Sequence, residues 1–299
     1  MNIKPAFKNE RLLKSLIGVT ATEFSSLLPT FSKVLYESHT TKKRLRAVGG
    51  GRKGVLPSVE EKLFYILLYL KIYPTYDLAG FVIGTDRSRS YRWTCKLMPL
   101  LEKSLGRACV LPARQVRTIE ELLRRFPEIK DIFLDGTERR TQRPKSGRGR
   151  NRRYSGKQRS YTRKNILGVS ENKTVLFLSS SKNGRRHDKR RLSQANWLKA
   201  IPPGTTLWAD TGFAGIEQEV NSGVTVMRPI KKKPMIKLID EQKQENRVIS
   251  SLRMVAENAI AGIKRFNCLT HVYRNHKGQD DSYMAIASGL WNLHLQLTS

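Results

Sequence analysis

The sequence predicts an α/β protein with a mixed five-stranded sheet covered by helices on both faces, preceded by an all-α region. Two observations carry this. Apolar residues recur at helical spacing through the first ~110 positions, in line with a period of about 3.6. Short apolar runs rich in β-branched and aromatic residues occur only after residue 130 and then alternate with helical patterns, as strands and crossover helices do.

Taken in order, residues 20–37 read as an amphipathic helix with Thr20 at its N-cap and Phe24, Leu27, Leu28, Phe31, Val34 and Leu35 on the apolar face. Pro29 is expected to bend or split it. Residues 42–54 combine three consecutive glycines with six cations and read as a basic linker that touches phosphate. Ser58 caps the next helix, Glu60 and Glu61 suit its positive end, and LFYILLYLKI supplies its buried face up to Pro74. A short helix over 76–83, a turn at Gly84-Thr85 and a basic helix over 86–106 follow. Helix, helix, small turn and basic helix resemble a helix-turn-helix DNA reader, with Arg87, Arg89, Arg92 and Lys96 facing DNA; the alternative is a helical domain whose basic face is merely solvated. A polar connecting helix lies within 109–129.

Strand-like runs then fall at 131–135, 165–169, 174–179, 205–209 and 224–228. A helix over 188–200 separates the third from the fourth, and His187-Asp188 at its start reads as an N-cap rather than a ligand pair. One long helix covers 241–266 and a last one 281–296. Three successive strands followed by alternating helices and strands match the ribonuclease H-like arrangement. The expected division is 1–54 (helical segment and basic linker), 55–108 (helix-turn-helix), 109–129 (connecting helix) and 130–299 (catalytic domain). Trp197 and Trp208 read as core residues.

Charge narrows the function. Lys and Arg number 56 against 25 Asp and Glu, a net charge of +31, so an anionic partner is the default. No run of about 18 apolar residues exists to span a bilayer, and the first residues carry Lys, Glu and Arg through their apolar runs, unlike a signal peptide. The expected location is inside the cell. Three scattered cysteines, Cys95, Cys109 and Cys268, form neither a zinc pair nor a disulfide framework. Residues 139–164 hold twelve cations and no acid, Arg148, Arg150, Arg152 and Arg153 among them, and read as a solvated or nucleic-acid-bound loop. Tyr154 and Tyr161, set among those cations, are of the type that stacks on unpaired bases.

Three acids stand out. LDGTE puts Asp135 at the end of the first strand, with Gly136 expected to turn the chain tightly, and ADTGF puts Asp210 at the end of the fourth. Glu257 lies beside the apolar stripe Leu252, Val255, Ala259, Ile260 and Ile263 of the long helix, where an acid needs a partner. Singly these are ordinary turn, Asx-turn and helix-surface acids. Jointly, carboxylates from two strands and a helix suit a hard cation such as Mg²⁺. Two ions roughly 4 Å apart would activate a water or 3′-hydroxyl and stabilise the leaving oxygen of an in-line displacement. Glu138 reads as the partner of a neighbouring arginine.

LDGTE, ADTGF and RMVAENAIAGIK together resemble the DDE transposases of bacterial insertion sequences, the IS-five group. In that family the last acid has an arginine four residues before it and a lysine seven after, and Arg253, Glu257 and Lys264 match; Ser250 stands where the family has a tyrosine. The resemblance implies a ribonuclease H fold and Asp135, Asp210 and Glu257 as ligands of two Mg²⁺ ions, for which Mn²⁺ substitutes. Arg253 and Lys264 would hold phosphates from one helix face. It further implies cleavage at terminal inverted repeats, strand transfer into target DNA, and a homodimer in a synaptic complex. A non-catalytic DNA-binding repressor and a structure-selective nuclease of the same fold are the alternatives.

Overall fold

The computed structural model describes residues 2–40, 54–114, 116, 118–194, 197–231, 238–275 and 278–298. The basic linker expected at 42–54 lies outside the described residues but for its last position. The helices are α1 (Lys4–Phe7), α2 (Glu10–Ile17), α3 (Ala21–Thr40), α4 (Val59–Ile72), α5 (Tyr76–Ile83), α6 (Arg87–Arg107), α7 (Ile119–Arg125), α8 (Gly147–Arg153), α9 (Asp188–Ser193), α10 (Asp240–Ile263), α11 (Asn267–Thr270) and α12 (Asp280–Thr298). The strands are β1 (Asp131–Arg140), β2 (Tyr154–Ser155), β3 (Ser160–Ser170), β4 (Val175–Leu178), β5 (Lys182–Asn183), β6 (Thr206–Trp208) and β7 (Thr225–Met227). Among the described residues no helix is long and apolar enough to cross a membrane.

The chain divides into two compact units: residues 1–111, 263–271 and 275–299 form one, and residues 112–262 and 272–274 the other. This departs from a catalytic domain running over 130–299. The reason is apolar packing: α12 buries Tyr283, Met284, Ile286, Leu290 and Leu293, and it packs on α3 and α6 of the helical unit. The hydroxyl of Thr20 accepts from the Glu23 amide (3.0 Å) while the Glu23 carboxylate accepts from the Thr20 amide (3.2 Å), a reciprocal cap. Pro29 does not split α3, which continues through it. Ser58 and Glu61 make the same reciprocal cap on α4. Within the unit the Tyr65 hydroxyl sits 2.9 Å from Ser90 Oγ and 3.0 Å from Thr94 Oγ1, so the buried polar atoms joining α4 to α6 satisfy one another.

The second unit holds a seven-stranded mixed sheet ordered β2-β3-β1-β6-β7, with β4 and β5 also paired to β3. β1 is antiparallel to β3 and parallel to β6, and β7 is parallel to β6. The five expected strands are present; β2 and β5 are additional two-residue strands on β3. β1 is longer than expected. It does not turn at Gly136 but runs on to Arg140, pairing with β3 from Ile132↔Ser170 to Arg140↔Thr162, because the following residues retain their antiparallel partners. The basic stretch 139–164 is therefore not simply a loop: it contains the end of β1, α8 capped by Ser146, β2 and the start of β3. The helix expected over 188–200 is shorter, with α9 ending at Ser193 and a separate 3-10 turn at Leu198–Ala200.

Side chains alternate across β1. Ile132 and Leu134 join Ile166, Leu176, Phe177, Leu192, Trp197, Leu207 and Phe213 in one buried core. Phe133 and Asp135 take the other face, where Arg253 of α10 approaches Asp135. Trp197 is fully buried and stacks on Phe177, as a core residue should. Trp208 is half-buried instead, because its indole N–H donates to Asp131 Oδ1 at 2.6 Å and its ring stacks on Phe133.

Candidate active site and nucleic-acid interface

β1 and β6 are hydrogen-bonded neighbours with Phe133 opposite Trp208, so Asp135 and Asp210 each lie two residues past that last paired position. The parallel register thereby brings both carboxylates to the same level, just past the end of the β1–β6 pairing. Asp135 Oδ1 accepts from the Gly136 amide at 2.7 Å, and Asp210 Oδ1 accepts from the Thr211 amide at 2.6 Å. Arg253 of α10 lies between them, its guanidinium 3.8 Å from Asp135 Oδ1 and 3.7 Å from Asp210 Oδ1. Its Nε is buried and has no hydrogen-bond partner among the described residues. Burial pushes the Asp135 carboxyl above its usual range and the charge of Glu257 adds to this, against the Gly136 amide, Arg253 and Lys157.

Glu257 thus acts electrostatically on Asp135, although it stands exposed on α10 and not within an apolar stripe. Leu252 of that stripe is itself exposed, whereas Ala256, Ala259, Ile260 and Ile263 are buried. α10 ends at Ile263, one residue before Lys264, which falls in the helical unit. Two residues that motif reading passed over enter the site's surroundings. Lys157, in the turn between β2 and β3, lowers Asp135. Lys164 ion-pairs with Glu138 at 3.1 Å and with Asp188 at 2.8 Å, so the partner of Glu138 is this cross-strand lysine and not a neighbouring arginine. The signal available was the β1–β3 register, which sets Glu138 directly opposite Lys164. Nor does the His187 side chain cap α9.

The acids offer oxygen donors, and two of them already share one cation, Arg253. That is the donor chemistry a hard divalent ion requires. Among the described residues no three acidic, histidine or cysteine side chains are drawn together tightly enough to chelate one ion. The guanidinium between Asp135 and Asp210 is consistent with that wider spacing.

The helical unit presents a different surface. Arg89, Arg92, Lys96 and Lys103 recur every three, four and seven residues along α6 and are all exposed, while Ser90, Thr94, Leu97, Leu101 and Leu105 are buried on the opposite side. Arg87, at the first position of α6, is also exposed, 4.0 Å from Asp77. Lys96 lies 5.4 Å from the centre of the Trp93 ring and 3.2 Å from His39 Nε2. A methyl group at Gly80 would meet the Thr85 carbonyl at 2.7 Å, so glycine there allows α5 and α6 to approach through their short connection. In the sheet unit, Arg148 and Arg152 are exposed four residues apart on α8, and Arg150 and Arg153 are half-buried.

The chain has recognisable relatives. It is 29% identical over 244 residues to a probable transposase for insertion sequence element IS702 from Microchaete diplosiphon, covering 80% of this chain and 82% of that protein. No solved structure matches significantly. The family model described as DDE superfamily endonuclease matches residues 134–292, just over half of the chain and a segment that contains Asp135, Asp210, Arg253 and Glu257. The chain therefore belongs to the DDE superfamily endonuclease family.

Proposed function

We propose that this protein is an insertion-sequence transposase that cleaves DNA at terminal inverted repeats and joins the freed end to target DNA. The observation that carries the reading is the convergence of Asp135 and Asp210 on Arg253 just past the last paired residues of the parallel strands β1 and β6, with the charge of Glu257 acting on Asp135. Asp135, Asp210 and Glu257 would hold divalent metal, Mg²⁺ with Mn²⁺ as substitute, in a two-ion arrangement. Bound metal supplies a more acidic water or 3′-hydroxyl and charge stabilisation of the leaving oxygen. The chain's own groups do the remainder. Asp135 must be ionised to act as a ligand, and the Gly136 amide, Arg253 and Lys157 favour that state against burial. Arg253 is placed to neutralise a phosphate oxygen beside the acids, since its charge reaches both of them.

The exposed cations of α6 support a helix-turn-helix reading of α5 and α6, in which Arg87, Arg89, Arg92 and Lys96 contact the element end. Arg148, Arg150, Arg152 and Arg153 on and beside α8 would track the DNA backbone next to the acids, and Lys264 would add a phosphate contact. Because two element ends must be joined, the reading includes a homodimer in a synaptic complex, and a DNA substrate of this kind would be met at the nucleoid. The test is a cleavage assay on DNA carrying the inverted repeats that flank the gene, with Mg²⁺ or EDTA, comparing wild type with Glu257→Gln. Metal-dependent nicking at the repeat boundary, lost in the variant, is the expected result. Specific binding without cleavage would favour a repressor, and cutting indifferent to the repeats would favour a nuclease.

A further inference from the structure

On the face of β1 turned away from Asp135, Lys164 Nζ bridges Glu138 Oε1 at 3.1 Å and Asp188 Oδ1 at 2.8 Å. Glu138 Oε2 also accepts from the Thr162 hydroxyl at 2.6 Å. The lysine and Glu138 side chains are 11% and 7% exposed, which leaves little room for either to swing out to water. Burial alone would pull the Lys164 ammonium down, but the Asp188 and Glu138 carboxylates outweigh it and hold it above the usual lysine range.

Asp188 has a second set of neighbours. Its Oδ1 lies 3.5 Å from where a β-carbon on Gly136 would stand, and its Oδ2 3.4 Å from where one on Gly212 would stand. One carboxylate therefore lies against the residue after Asp135 and against the second residue after Asp210. The base of Asp188 is fixed as well: Leu192 of the same helix is in the core, Arg191 donates to the Ser180 carbonyl, and Lys189 pairs with Glu219 at 3.5 Å.

We propose that Asp188, held by Lys164, is a positioning residue that sets the separation of Asp135 and Asp210 from the opposite face of the sheet. This rests on the reading of Asp135 and Asp210 as catalytic acids. Asp188 lies beside the glycines that follow them and not at the reacting atoms. A β-carbon at either glycine would stand in ordinary van der Waals contact with that carboxylate, which places Asp188 directly beside both positions. Supporting interactions of this kind matter because ligands must be held to a fraction of an ångström, and their removal costs about 10–100-fold in metal affinity or activity.

The test uses the full-length protein as Asp188→Ala, Asp188→Glu and Asp188→Asn, with Asp210→Asn as the comparator. The readouts are thermal unfolding, Mn²⁺ affinity without DNA by electron paramagnetic resonance, single-turnover cleavage and binding to the repeat. Asp188→Ala is expected to lose about 10–100-fold in cleavage and to bind Mn²⁺ more weakly, with repeat binding unchanged. Asp188→Glu keeps the charge for Lys164 but adds a methylene that displaces the carboxylate from its place beside Gly136 and Gly212, so it is expected to fold and yet lose cleavage. Asp188→Asn keeps the shape and should restore most of both losses. Wild-type cleavage and Mn²⁺ affinity in a folded Asp188→Glu, with Asp210→Asn inactive, overturn this inference alone, and that variant decides the matter if Asp188→Ala fails to fold. An active Asp210→Asn would remove the catalytic reading and this inference with it.

Discussion

The cations of α6 and the cations beside β1 differ in what surrounds them, and that difference separates two uses of positive charge. Arg89, Arg92 and Lys96 are exposed along one helix face, where charge acts at long range and is screened by salt. Arg253 and Lys164 have side chains 14% and 11% exposed, and each faces two carboxylates. Charge of the first kind gathers a polyanion, and charge of the second kind fixes acids in place. A single net charge of +31 conceals both.

The largest effect that would test this contrast comes from the acids. Asp210→Asn or Glu257→Gln should reduce cleavage on the order of 10³-fold or more while repeat binding in a gel shift stays within about twofold, since these groups act in chemistry and not in docking. Binding that fell in step with cleavage would break the division. Arg253→Gln should act on the acid limb of the cleavage pH profile. Arg253 holds Asp135 down, so its removal lets burial and Glu257 push that carboxyl further up. The ionised fraction then falls at higher pH, and the limb should move upward; an unmoved limb would show that Arg253 does not govern Asp135.

Neutralising Arg89 and Arg92 together should leave cleavage of bound DNA intact but weaken binding. The slope of log affinity against log salt should flatten by about 1 for each phosphate no longer neutralised. An unchanged slope and unchanged preference for the repeat would remove α6 from the interface. The smallest effect concerns stability. Asp135 has a folded-state pKa above its unfolded one, so the native state binds more protons and stability falls as pH rises from the unfolded to the folded value. Asp135→Asn should therefore raise the melting temperature of the metal-free protein at neutral pH, with the gain disappearing in acid. A gain that grew in acid would contradict that sign.

Much of the site is legible in the sequence because its parts are local. Asp135 and Asp210 each follow a short apolar run, and Arg253 and Glu257 at an offset of four lie on one helical face whatever the fold around them. The Thr20 and Ser58 caps are readable for the same reason, since each is settled within four residues. Local pattern misleads where pairing partners come from far along the chain. Gly136 reads as the end of β1, yet β3 supplies partners as far as Thr162 and the strand continues. Glu138 has arginines next to it in sequence, yet the cross-strand register delivers Lys164.

Legible from the residues alone are the chemical groups and the order of elements: the basic helices, the three acids, and the alternation of strands and helices that yields a mixed sheet. Period and local capping encode these, and both are short-range. Long-range packing places Arg253 between Asp135 and Asp210, brings the charge of Lys157 to bear on Asp135, sets Asp188 beside both glycines, and joins α12 to the helical unit. Each of these depends on sheet register and on which apolar faces meet, and register is fixed by contacts between residues tens of positions apart that no local pattern records.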